Sequence, residues 1–172
     1  YGITEMIASA GLKPGTSHLA VQRGPADADS AAHLQVPPAT PVVTVERVRT
    51  ADGRPVVYAL DTLPEARLAG RGLALERLAG ESIYDLLQAD LGCVIEYGIA
   101  RILPAVASAA VAEKLGLAPG ALLLSMEQTD YSPHDEPLLY SREYHLPDAF
   151  DFLVWRRGPT RLGAPPPARL GA

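Results

Sequence analysis

Pro41–Val42–Val43–Thr44–Val45–Glu46–Arg47–Val48–Arg49–Thr50–Ala51–Asp52–Gly53–Arg54–Pro55–Val56–Val57–Tyr58 is the stretch on which the fold turns. Its first ten residues alternate with a period of two, the repeat of an extended chain. Val43, Val45, Arg47 and Arg49 share one face, and Val42, Thr44, Glu46 and Val48 share the other. Asp52–Gly53 is a strong hairpin dipeptide, because both central positions of the favoured two-residue turn need positive φ. Val56 to Leu63 reads as the return strand, closed by Pro64. An antiparallel sheet is therefore expected.

Working outward, Ile3, Met6, Ile7 and Ala10 recur at helical spacing before Gly11. His18 to Arg23 reads as a strand and Asp27 to Leu34 as a helix with Asp27 as N-cap. Glu65 to Gly80 has no clear period. Ser82 to Leu91 reads as a helix capped by Ser82 and closed by Gly92. Cys93 to Leu103 reads as a strand, Ala105 to Leu115 as a helix, and Ala121 to Tyr131 and Leu138 to Leu146 as strands. Phe150 to Trp155 suggests a short strand. From Gly158 on, Gly, Pro, Ala and Arg dominate, and a disordered tail over 158–172 is expected.

The chain repeats itself. Pro25–Ala26, a helix, Leu34–Gln35–Val36 and Pro38–Ala39 lead into the first hairpin. Pro104–Ala105, a helix, Leu115–Gly116–Leu117 and Pro119–Gly120 lead into the second. Pro55 to Tyr58 matches Pro137 to Tyr140, Asp61 lies near the place of Glu143, and Leu63–Pro64 matches Leu146–Pro147. Two βαββ-type halves, about 17–64 and 93–147, are expected to share one antiparallel sheet with helices packed on it, an α+β fold. Pockets tend to form between such halves.

Composition narrows the function. The 172 residues fit one domain. A formal net charge of −5 speaks against this chain alone gripping DNA, which needs clustered cations. No apolar run reaches the roughly 18 residues of a membrane helix, so no membrane partner and a cytoplasmic location are expected. A single cysteine, Cys93, excludes an internal disulfide and a multi-cysteine metal site, and it reads best as a small core residue. Four scattered histidines show no metal-ligand spacing, so neither metal nor cofactor is expected. The start at Tyr1 reads as mid-chain sequence, and a fragment or processed product is expected.

The chemistry-bearing residues are few. Arg47 and Arg49 point to one face, and a guanidinium fork suits a carboxylate or phosphate. They are equally well read as solvated or as paired with acids on a neighbouring strand. Ser82 offers a hydroxyl beside free amides, or caps its helix. Along the last strand, Leu139, Ser141, Glu143 and His145 share a face, while Arg142 with Tyr140 and Tyr144 suggests an exposed stacked cluster.

Taken in order, Ile3–Thr4–Glu5–Met6, Arg47-x-Arg49 with Asp52–Gly53–Arg54–Pro55, Leu63–Pro64, Ser82–Ile83–Tyr84–Asp85–Leu86–Leu87, Ala112–Glu113–Lys114–Leu115–Gly116–Leu117, Pro137–Leu138, Tyr140–Ser141 and Asp148 resemble the UTRA domain. This is the effector-binding half of HutC-type regulators in the GntR family, and the resemblance runs from Thr4 to about Arg157. It implies a chorismate lyase-like fold over 1–157, a homodimer in bacterial cytoplasm, and DNA binding through an N-terminal winged helix-turn-helix domain absent from this chain. It implies a small metabolite, bound between the halves, that changes operator binding and usually relieves repression. Phosphosugar-type members use positions matched here by Thr4, Arg47, Arg49 and Ser82. Two positions that often carry Glu hold Ala59 and Leu139, and a Tyr-Arg-Gly-Asp segment is replaced by His145–Leu146–Pro147–Asp148. With Ser141 and Glu143 these residues make up the expected effector-binding set. The resemblance implies a kept anion end and a lost sugar-hydroxyl end, hence a carboxylate or partly apolar acid as effector. An enzyme of the chorismate lyase kind and a dimerisation module with a vestigial pocket are the alternatives.

Overall fold

A computed structural model describes residues 2–69 and 75–152. The alternating stretch forms β2 (Pro41–Ala51) and its return strand β3 (Arg54–Pro64). Between them Asp52 and Gly53 take φ of 49° and 84°, the pair of positive values that the tight hairpin requires. Before this hairpin lie α1 (Ile3–Ser9), β1 (Pro14–Pro25) and α2 (Ala28–Leu34). After it come 3-10 turns at Glu65–Arg67 and Leu75–Ala79, then α3 (Ile83–Asp85), which runs into a π-helical turn at Leu86–Asp90. β4 (Tyr97–Val106), α4 (Ala109–Leu115), β5 (Leu122–Tyr131) and β6 (Pro137–His145) follow.

The six strands form one antiparallel sheet in the order β1-β2-β3-β6-β5-β4. This is the expected α+β architecture of two βαββ halves. Asp27 caps α2 through the Ser30 amide, and Ser108 caps α4 through the Val111 amide. Gln35 and Gly116 close these helices with φ of 53° and 67°. The amides of Ala26 and Ala107 donate to the carbonyls of Thr40 and Ala121, both at 2.8 Å. The β2–β3 pairing slips at Arg49/Thr50, and the β5–β6 pairing at Asp130/Tyr131. The halves meet where β3 pairs with β6, with Leu60 opposite Arg142 in the middle. Each helix packs across that seam, α2 on β6 and α4 on β3.

The sheet's two faces are covered differently. On one, Val111, Ala112 and Leu115 of α4 pack with Val56 and Leu123, and Ala31 and Leu34 of α2 pack with Val42 and Tyr140. Lys114 ties α4 to this face through Glu46 at 2.6 Å, and Glu46 lies 3.2 Å from His18. On the other face, Val43, Val45, Leu63 and Leu139 pack under Leu75, Leu78, Ile83, Leu86 and Leu87. That apolar contact stops short of Arg47 and Arg49, which share the same face.

Several expected boundaries move. The strand expected at Cys93–Leu103 is Tyr97–Val106, and the helix expected from Ala105 begins at Ala109. Pro104 explains the shift. It suits the first turn of a helix, but here it lies in an edge strand, where a missing N–H is tolerated, and Ser108 sets the helix start. The cluster expected around Arg142 is stacked, with its guanidinium 5.8 Å from the Tyr140 ring centre, but only Arg142 and Tyr144 are partly exposed. Tyr140 is 1% exposed and stacks on His33 of α2 at 4.1 Å between ring centroids. Phe150 to Phe152 is not a strand. The rest of that segment and the tail over 158–172 lie outside the described residues.

Candidate functional site

Register places the polar residues of one sheet face in three rows. Thr16, Arg49, Val57 and His145 lie side by side, then Arg47, Ala59, Glu143 and Met126, then Val45, Asp61, Ser141 and Gln128. Above these rows α1 and the start of α3 leave a cavity of about 200 Å³. Thr4 and Met6 line it from α1, Arg47, Arg49 and Asp61 from the first hairpin, and Ser82 and Tyr84 from the α3 entry. Gln128, Ser141 and Glu143 line it from the second half, beside Met126 and Phe152. A cavity of this size suits a small metabolite.

The two arginines differ in their partners. The Arg47 guanidinium donates to Asp61 at 2.7 Å, in a pair almost wholly shielded from solvent. It also reaches the carbonyls of Glu81 and Leu78, at 3.3 and 3.5 Å. Asp61 accepts a second bond from the Ser141 hydroxyl at 2.7 Å. Arg47 is thus neutralised within the protein. Arg49 is 1% exposed, yet its partners are hydroxyls: Thr4 at 2.7 Å and Thr16 at 2.9 Å. Its Nε has no partner. Burial, helped by the neighbouring Arg47 charge, pulls its pKa down to about 10. A buried cation held by neutral oxygens alone is costly unless an anion joins it. Ser82 is buried, its oxygen accepts from the Tyr84 amide at 3.3 Å, and its hydroxyl proton is free to turn inward.

The opposite wall is acidic. Glu143 lies 2.7 Å from Nε2 of His145, which therefore carries a proton and donates it. His145 is fully buried against the edges of Phe150 and Phe152, and its Nδ1 has no partner. Nearby, Gln128 donates to the Tyr84 hydroxyl and to Asp130, both at 2.8 Å, and Tyr84 donates to Asp130 at 3.2 Å. Burial pushes the Asp130 carboxyl up to about 6 and the Tyr84 phenol well above its ordinary value. Tyr84 and Gln128 also wall a neighbouring recess that Asp130 lines.

Of the residues singled out from sequence, Thr4, Arg47, Arg49, Ser82, Ser141 and Glu143 line one cavity. Three do not. Ala59 is fully buried on the sheet floor between Arg47 and Glu143, Leu139 is sealed in the core beneath the 75–87 segment, and His145 stands behind Glu143. Asp61, Tyr84, Met126 and Gln128 were missed. The repeat carries a signal for two of them, because Asp61 matches Glu143 and Gln128 falls at the place of Arg47 in the other half.

Comparison with known proteins bears on the family and the fold. The sequence model of the UTRA domain matches residues 9–151. An HTH-type transcriptional regulator of Mycobacterium tuberculosis, Rv0792c, is 32% identical over 158 residues, 88% of this chain and 56% of that protein. The chain thus spans little more than half the length of this relative. The effector domain of PhnF from Mycobacterium smegmatis superposes with a TM-score of 0.80 at 25% identity, covering 90% of this chain and 94% of that one. The larger PhnF structure gives 0.81 at 25% identity, covering 92% of this chain and 69% of that one.

Proposed function

The chain belongs to the UTRA domain family, and from that premise we propose that it senses a small anionic metabolite for a GntR-type regulator of the HutC kind. Arg49 carries this reading. A buried guanidinium with hydroxyl partners and a bare Nε is complementary to a carboxylate or phosphate, and Thr4, Thr16 and Ser82 supply further donors around it. The effector stabilises whichever arrangement of the regulator closes α1 over the cavity, and it shifts DNA affinity only by its preference for that arrangement.

In this reading the regulator is a cytoplasmic homodimeric repressor. Operator contacts come from a helix-turn-helix segment outside these 172 residues, in keeping with the net charge of −5 and with the unmatched length of the Mycobacterium tuberculosis relative. Among the described residues no helix is long and apolar enough to cross a membrane. The enzyme alternative gains no support from the site. Its carboxylates are engaged by the protein, Asp61 by Arg47 and Ser141, and Glu143 by His145.

The test is a thermal-shift screen of carboxylate and phosphate metabolites on this chain, followed by titration calorimetry of the best binder. Arg49→Ala is expected to weaken that binder by about 1.5–3 kcal/mol, the value of a hydrogen bond to a charged group. An unchanged Kd would make Arg49 a structural residue and remove the basis of the reading.

A further inference from the structure

We infer that the metabolite is a zwitterion, with an acid group at Arg49 and an ammonium group at Glu143. The inference rests on reading the cavity as an anion-binding effector site and adds the second pole. It comes from the charges left over once the protein's own pairs are removed. Arg47 and Asp61 cancel at 2.7 Å. Arg49 remains, hydrogen-bonded only to Thr4 and Thr16, with Asp61 and Glu5 acting on it through space alone, its Nε bare and its side chain in the cavity wall. Glu143 lines the same cavity from the facing half; His145 holds its Oε2 at 2.7 Å, and its Oε1 has no hydrogen-bond partner among the described residues.

Glu143 is held so as to accept. The buried His145 ring meets Glu143 Oε2 through Nε2, and its Nδ1 has no partner. The His145 contact orients the Glu143 carboxylate. A carboxylate has only acceptor capacity, so the ligand atom facing it must be a donor. An ammonium also balances the charge, which a hydroxyl does not. Ala59 lies between the poles on the sheet floor, and Met6, Met126 and Phe152 add apolar surface elsewhere in the cavity wall.

Geometry limits the length. Arg47 and Glu143 are two strand spacings apart in register, roughly 10 Å between backbones, and Arg49 lies one side-chain repeat further along. With the small volume of the cavity, that separation suits a ligand of a few carbon atoms. The ligand class is therefore a short ω-amino acid, or an amino acid with its ammonium and acid held a similar distance apart.

The probes are ω-amino acids of three to six carbons and the unsubstituted acids of the same lengths, titrated into this chain by calorimetry at pH 7. The best amino acid is expected to bind at least tenfold tighter than its parent acid. Glu143→Gln is expected to bring the two within about threefold, with the amino acid's affinity falling. Equal or tighter binding of the parent acid by the native chain would overturn the ammonium pole and leave the anion site standing. If neither series binds but phosphate-bearing anions do, the ammonium pole again falls. If no anion binds at all, the anion site falls with it. Should Glu143→Gln fail to fold, the ratio measured on the native chain decides alone.

Discussion

Asp130 is a carboxyl placed where the fold gives it no cation. It is 2% exposed, accepts from Gln128 and Tyr84, and burial lifts its pKa from 3.8 to about 6. The folded state therefore binds its proton more tightly than the unfolded state does. Stability from this group is full below about pH 4 and is lost as pH rises through 6. A shift of this size corresponds to about 1–3 kcal/mol by pH 7. Urea unfolding of the native chain and of Asp130→Asn at pH 4, 5, 6 and 7 checks it. The stability difference, native minus variant, should fall by that amount across the series, and a flat difference would show that Asp130 titrates normally. At this scale the cationic wall was legible in sequence. Arg47 and Arg49 alternate with valines, and Thr4 and Ser82 sit at helix starts. Of the opposite wall only Ser141 and Glu143 were, because Asp61, Gln128 and Asp130 gain meaning only when strands far apart in sequence are brought into register. The structure also separates two arginines that sequence leaves equivalent: one is neutralised by Asp61 and one is not.

Among the elements, the paired helices α2 and α4 give an internal comparison. Both close with a left-handed residue, Gln35 in one and Gly116 in the other. For a residue with a Cβ this conformation costs about 1–2 kcal/mol, whereas glycine adopts it freely. Nothing lies within 4 Å of a Cβ added at Gly116, so backbone strain is the whole effect there. Gln35→Gly should stabilise the chain by up to about 1 kcal/mol, and Gly116→Ala should destabilise it by about 1 kcal/mol. Denaturant midpoints of the two variants would read opposite shifts, and shifts of the same sign would refute the argument. Caps and turns of this kind were the most legible part of the fold: Asp27, Asp52–Gly53 and Gly116 each act as local chemistry dictates. Pro104 was misleading for an equally physical reason. A proline is compatible with a helix start and with an edge strand, and only the sheet order decides between them.

For the whole molecule, the sheet's two edges are unequal. β4 pairs with β5 along its length and with nothing on its other side among the described residues. It carries Ile99 at 61%, Leu103 at 40% and Val106 at 66% exposure, beside Leu122 of β5 at 72%. A long apolar edge with free backbone donors and acceptors is a site of association unless something covers it. A second copy of this chain is the occupant argued for here, because antiparallel pairing of β4 with itself closes under two-fold symmetry and uses both edges at once. It would place the two cavities in one continuous sheet. The sequence showed β4 only as an apolar run, and exposure of that run could not be read from it, since a buried central strand has the same composition. Sedimentation equilibrium at tens of micromolar should give a dimer for the native chain. Ile99→Lys with Leu103→Glu, two substitutions on one side of the strand, should give a monomer with unchanged far-UV circular dichroism, because both side chains are already open to solvent in the single copy. A native monomer at that concentration, or a double variant that stays dimeric, would move the interface away from β4.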